Sequence, residues 1–107
     1  MADKDKEKES RIQEFQILEQ NLQNLLMQKQ AFQIELRETQ SALKELEKSG
    51  DEVFKIIGQL MIRTEKNAMK EELSNKEKII NLRISTFEKQ ESIISKKLEA
   101  LQKEIMK

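Results

Sequence analysis

The 107 residues contain no cysteine, proline, tryptophan, tyrosine or histidine, and only two glycines. Without cysteine there are no disulfides, thiolate metal sites or thiol nucleophiles, and a reducing, cytoplasmic setting is the default expectation. Without histidine, and with no glycine-rich phosphate loop or pocketed carboxylates, neither an enzyme nor a bound cofactor or metal is expected. Without proline and with so little glycine, almost nothing interrupts a helix. Four phenylalanines are the only aromatic side chains, too few to suggest a base-stacking surface. Twenty Lys and Arg balance twenty Asp and Glu, so no net field favours nucleic acid or an anionic membrane. No apolar run approaches the roughly 20 residues that span a bilayer. The opening from Met1 to Ser10 is charged, unlike a signal peptide, so a soluble, unprocessed protein is expected.

What is present is 36% hydrophobic and 37% charged residues, lean for a globular core and ample for long amphipathic helices. Ala2 to Glu9 has no apolar residue beyond its first alanine and reads as a solvated tail or a frayed helix start. From Phe15 a heptad seam follows at alternating steps of three and four: Phe15, Leu18, Leu22, Leu25, Lys29, Phe32, Leu36, Thr39, Leu43 and Leu46, eight of ten apolar. Gly50 then reads as a helix stop. A second seam runs Leu73, Glu77, Ile80, Ile84, Phe87, Glu91, Ile94, Leu98, Leu101 and Ile105, again eight of ten apolar. Each covers about 32 residues, or roughly 48 Å of helix. A chain that reverses between them lays the two side by side as an antiparallel coiled coil, with both termini at one end.

Between the seams the period fails. Seven of the ten residues from Val53 to Ile62 are apolar, crowded as VFKII and LMI around Gly58-Gln59. β-branched and aromatic residues flanking a glycine predict a short β-hairpin with a type II′ turn; a buried helical kink is the alternative. Thr64 or Asn67 is a candidate N-cap for the helix that follows. By residue parity Phe54, Ile56, Leu60 and Ile62 would share one face of the hairpin, and Val53, Ile57 and Met61 the other. One pair of helices cannot cover both faces and both edges, so the hairpin is expected to recruit other chains. Several hairpins closing into a barrel would abolish the edges and leave the coiled coils projecting.

These residues resemble the prefoldin family, in particular its β-type subunits. Val53-Phe54-Lys55-Ile56-Ile57-Gly58-Gln59-Leu60-Met61-Ile62 is similar to the family's VYK-x-x-G-x-(I/L/V)-(L/M)-(V/I) segment, with Phe54 in place of the more common tyrosine. Glu88-Lys89-Gln90-Glu91 resembles its RQE/KQE stretch, and Gln28-Lys29-Gln30 its QKQ. The likeness extends over Ile12 to Lys107, and the second hairpin of the α-type subunits is lacking. The resemblance implies a mainly α fold over one domain, residues 1–107: helix 1 over about 8–48, a β-hairpin over about 53–64 at the base, and helix 2 over about 67–106. It further implies an ATP-independent cytosolic chaperone without cofactors. Its hexamer has two α-type and four β-type subunits on a β-barrel platform. It captures unfolded polypeptides at the coiled-coil tips and passes them to a group II chaperonin. The alternative is a structural or adaptor coiled coil with no client-holding activity; a simple tether, however, has no use for seven apolar residues in mid-chain.

Three groups of residues follow as candidates. The oligomerisation hairpin is Val53, Phe54, Ile56, Ile57, Gly58, Leu60, Met61 and Ile62. Client-binding tips would use apolar side chains that the seam leaves free, Ile12, Ile17, Ile93 and Met106, with the seam ends Phe15, Leu101 and Ile105 in reserve; scattered surface hydrophobes are the bland reading. Lys29 and Glu91 are charges in seam positions and are candidates for a register-setting ion pair, unless each snorkels to water separately. Off-seam Leu26, Met27, Ile34, Ile79 and Leu82 read mostly as packing on the coil's flank or the platform. Five lysines against three glutamates from Lys89 onward read as a solvated face, or as a weak aid to docking on an acidic surface.

Overall fold

The computed structural model describes residues 2–107, so Met1 of the charged opening lies outside them. The order of elements is α1 (Ala2–Lys48), β1 (Glu52–Ile57), β2 (Leu60–Glu65) and α2 (Lys66–Ile105). Helix α1 starts at Ala2 rather than near residue 8. Asp3 and Asp5 lie in its first turn, where carboxylates offset the positive end of the helix dipole. The helical kink is overturned, because the mid-chain segment is a two-stranded antiparallel sheet.

The chain packs as two compact units, residues 2–31 with 85–107 (unit 1) and residues 32–84 (unit 2). In unit 1 the first part of α1 lies against the last part of α2. Phe15, Leu18, Leu22 and Leu25 are partly buried, as are Phe87, Ile94, Leu98, Leu101 and Ile105, while most of their sequence neighbours are exposed. Arg11 Nε reaches Glu104 Oε2 at 3.2 Å, so the helices run antiparallel and the beginning of one meets the end of the other.

Unit 2 holds the most deeply buried side chains: Leu46 from α1, and Met69, Ile80 and Ile84 from α2. Thr39 is also buried, and its hydroxyl donates to the Glu35 carbonyl one turn earlier at 2.9 Å, so a polar group in the seam is satisfied without a partner helix. Glu35 and Lys76 bridge the helices at 3.3 Å, and the Arg83 guanidinium lies 5.7 Å from the centre of the Phe32 ring, within cation–π range.

Three local expectations are corrected. Gly50 does not end α1 through a left-handed residue, since Gly58 is the only described glycine with positive φ. Instead the Ser49 amide and hydroxyl both donate to the Leu46 carbonyl, at 3.2 and 2.8 Å. Lys66 Nζ donates to the carbonyls of Ser49 and Glu47, at 3.1 and 3.4 Å, placing a cation at the negative end of α1. Neither Thr64 nor Asn67 caps α2. Thr64 lies in β2 and Asn67 inside the helix, because the strand runs into the helix with no loop between them. The Lys66 amide, an orphan of the first turn, donates to the Asp51 carbonyl at 2.9 Å. Finally, Leu26, Met27, Ile34, Ile79 and Leu82 are 39–69% exposed in this chain, so its own helices do not bury them.

Candidate functional site

The hairpin of unit 2 is organised by its turn. Gly58 has φ 59°, and no other described residue has positive φ, so the first central position alone is left-handed and Gln59 is not. That is the signature of a type II′ turn, whose twist matches the paired strands. The register places Ile57 opposite Leu60, Ile56 opposite Met61, Lys55 opposite Ile62, Phe54 opposite Arg63, Val53 opposite Thr64 and Glu52 opposite Glu65.

This register redraws the two faces. Residues opposite each other share a face, and across a two-residue turn their numbers add to an odd total, so even numbers on β1 join odd numbers on β2. One face therefore carries Val53, Lys55, Ile57, Leu60, Ile62 and Thr64, and the other Phe54, Ile56 and Met61 with Arg63 and the two end glutamates. The assignment by parity alone fails for the whole of β2.

The faces are covered unequally. Val53, Lys55 and Thr64 are partly buried at the base of the first face. There Val53 borders an open apolar groove with Leu46, Met69 and Leu73, and Lys55 pairs with Glu72 of α2. Farther toward the turn Ile57, Leu60 and Ile62 are exposed. On the second face Phe54, Ile56 and Met61 are 59%, 70% and 68% exposed. The Glu52 and Glu65 carboxylates face each other at the open end, a like-charge pair relieved by Arg63, which pairs with Glu52. Such a concentration of exposed aliphatic and aromatic side chains, on a sheet with both edges unpaired, marks an interaction surface.

Unit 1 carries the second set of candidates. Ile12, Ile17, Ile93 and Met106 are exposed, whereas Phe15, Leu101 and Ile105 are partly buried by the helix pairing. The two groups do different things. The first is free for an external partner, and the second becomes so only if the helix ends separate.

Within the same unit Lys29 Nζ donates to Glu91 Oε2 at 2.9 Å. The side chains are 19% and 31% exposed, more sheltered than any other ion pair described. The hydrogen bond to Glu91 is the main reason the Lys29 ammonium titrates above its usual range; desolvation opposes the rise, and the charges of Glu91 and Glu88 reinforce it.

Sequence reasoning missed two members of the helix interface. Arg11 stands four residues before Phe15, one regular step beyond the start of the first seam, and this spacing was the available signal; Met69 stands four before Leu73, where the alternation calls for three and lands on Lys70, so the spacing did not point to it. Among the described residues no group of three or more His, Cys, Asp or Glu is placed to hold a metal ion, and no helix is long and apolar enough to cross a membrane.

Comparison with known proteins agrees with this geometry. The family model described as prefoldin subunit matches residues 9–107. The prefoldin subunit beta of Saccharolobus islandicus is 36% identical over 101 residues, covering 92% of this chain and 80% of that protein. That of Sulfurisphaera tokodaii is also 36% identical, over 92% and 81%. That of Pyrobaculum calidifontis is 34% identical over 88 residues, 80% of this chain and 70% of the other. The crystal structure of the prefoldin beta subunit from Thermococcus strain KS-1 superposes with a TM-score of 0.86 at 32% identity, covering 92% of this chain and 89% of that one. The chain belongs to the prefoldin subunit family, with the chaperone-type role that family carries.

Proposed function

We propose that this chain is a β-type subunit of a cytoplasmic, ATP-independent chaperone that holds unfolded polypeptides and passes them to a group II chaperonin. In this reading the hairpin, Val53 to Ile62, joins those of an α-type partner and of sister copies in a barrel platform of two α-type and four β-type chains. Ile12, Ile17, Ile93 and Met106 hold clients, with Phe15, Leu101 and Ile105 recruited when the helix ends fray. Contacts of this kind are weak singly and cumulative across several arms, which suits binding to many sequences.

The observation that carries the reading is the hairpin face of Phe54, Ile56 and Met61, which stays 59–70% exposed in its own chain. A spacer coiled coil has no use for such a face. Two measurements test the proposal. Mixing the chain with a longer α-type prefoldin subunit should convert it to one defined hexamer in sedimentation; a chain that stays unchanged is a spacer. Removing residues 1–17 or 98–107 should abolish suppression of aggregation of a chemically unfolded client while the hexamer persists. Undiminished suppression by both truncated forms overturns the assignment of client binding to these ends.

A further inference from the structure

Within unit 2 the hairpin is attached to the helices at two places, through residues 49–51 after α1 and directly at Glu65 and Lys66 before α2. The Lys66 amide donates to the Asp51 carbonyl at 2.9 Å and ties the two attachments together. A body held at two neighbouring points keeps one rotation, about the line that joins them. The backbone therefore fixes where the hairpin sits and leaves its tilt against the helices to torsions at the element ends and to other contacts. Little at the junction resists that tilt, since Gly50 has open space around it and the apolar groove beside Val53 is open. The Arg63 and Glu52 pair lies wholly within the hairpin, and the Lys66 ammonium reaches only the end of α1, beside the line of attachment. Among the described residues one ion pair joins a strand to a helix away from that line, Lys55 with Glu72. Lys55 stands three residues along β1 from Glu52, roughly 10 Å, and Glu72 six residues into α2 from Lys66, roughly 9 Å. The pair closes a triangle whose apex is the junction.

We propose that Lys55 and Glu72 form a strut that sets the tilt of the hairpin, and with it the direction in which the helices leave an assembly of hairpins; that consequence rests on the proposed assembly, the strut itself does not. Lys55 is the one charge on its face, between Val53 and Ile57 and opposite Ile62. Glu72 neutralises it from within the chain, so a neighbouring strand that covers this face meets no unpaired ammonium. Copies that share a platform must also agree in tilt. A chain whose hairpin already stands at the assembling tilt associates with its full affinity, and one that spends part of its time elsewhere associates more weakly in proportion.

The absence of cysteine makes the tilt measurable in the full chain. Spin labels at Gln59→Cys, in the exposed turn, and at Lys78→Cys, exposed on α2, report the distance from hairpin tip to helix by double electron–electron resonance. Diluting labelled chain in unlabelled chain restricts the signal to pairs within one molecule. The otherwise native chain should give one dominant distance. Glu72→Ala, which keeps a good helix former, should raise the ratio of displaced to native distances by about two- to fivefold, the range for a partly exposed ion pair. Lys55→Glu with Glu72→Lys should restore the native ratio, because the exchanged charges pair across the same gap. A distance distribution that Glu72→Ala leaves unchanged overturns the strut, and so does a charge exchange that behaves like the single variant. With an α-type partner present, Glu72→Ala should need a correspondingly higher concentration to assemble, and the charge exchange should not. Native assembly by a variant with altered tilt overturns the consequence for assembly. A native chain that does not assemble refutes the proposed function instead, and the distance ratio still decides the strut.

Discussion

Replacing Ile56 and Met61 by lysine separates the stability of the chain from its power to assemble. The two side chains sit opposite each other on the uncovered hairpin face, 70% and 68% exposed. In the isolated chain little burial is lost, so unfolding should shift by about 0.5 kcal/mol per site, with up to about 1 kcal/mol more from two like charges directly opposite each other. Fully burying an isoleucine or methionine is worth about 1.5 to 3 kcal/mol. With over two thirds of each still to be buried, each hairpin forfeits about 1 to 2 kcal/mol per site on assembly, or about 2 to 4 for the pair. At about 1.4 kcal/mol per factor of ten, association should weaken at least tenfold and up to about a thousandfold. Desolvation of the introduced ammonium groups adds to the loss, so the burial term alone sets its lower end. The assay pairs circular-dichroism melting of the variant alone with sedimentation velocity over a concentration series, with and without an α-type partner. Near-native melting with lost assembly is the expected result. Native assembly by the lysine variant would refute the argument, because a buried face cannot accept two charges without consequence.

Three further outcomes follow from the same geometry. Gly58→Ala should destabilise by about 1 to 2 kcal/mol in chemical denaturation, because φ 59° is a left-handed conformation that alanine resists, whereas Gly50→Ala, with open space and no positive φ, should be nearly neutral. Ile80→Ala should cost about 2 to 4 kcal/mol and its neighbour Ile79→Ala under about 0.5 in the same measurement, since the first is 3% and the second 58% exposed. The Lys29 ammonium is held above its usual range by Glu91, so its contribution is present in full below the unfolded value of about 10.4 and is lost as pH rises through the folded one. The melting temperature of the native chain relative to Lys29→Met should accordingly stay constant from neutral pH to about pH 10 and fall above it.

The amino-acid sequence by itself determined the elements and the helix interface. Alternating steps of three and four place a side chain on one stripe of a helix whatever lies opposite, so Phe15 to Leu46 and Leu73 to Ile105 name buried and half-buried positions before any partner is known. The turn was equally legible, because a glycine at its first central position is a local steric requirement. Tertiary structure decided whatever depends on two segments meeting. Which hairpin residues share a face follows from pairing across the turn, and parity within a strand does not carry over it. The end of α1 is made by Ser49 and by Lys66, from the far side of the hairpin, rather than by the nearby Gly50. That Lys29 finds Glu91, and Arg11 finds Glu104, depends on the alignment of two helices whose separate periodicities permit several. Period is a property of one chain segment; register is a relation between two, and it is settled only where charges, turns and side-chain volumes from both are brought into contact.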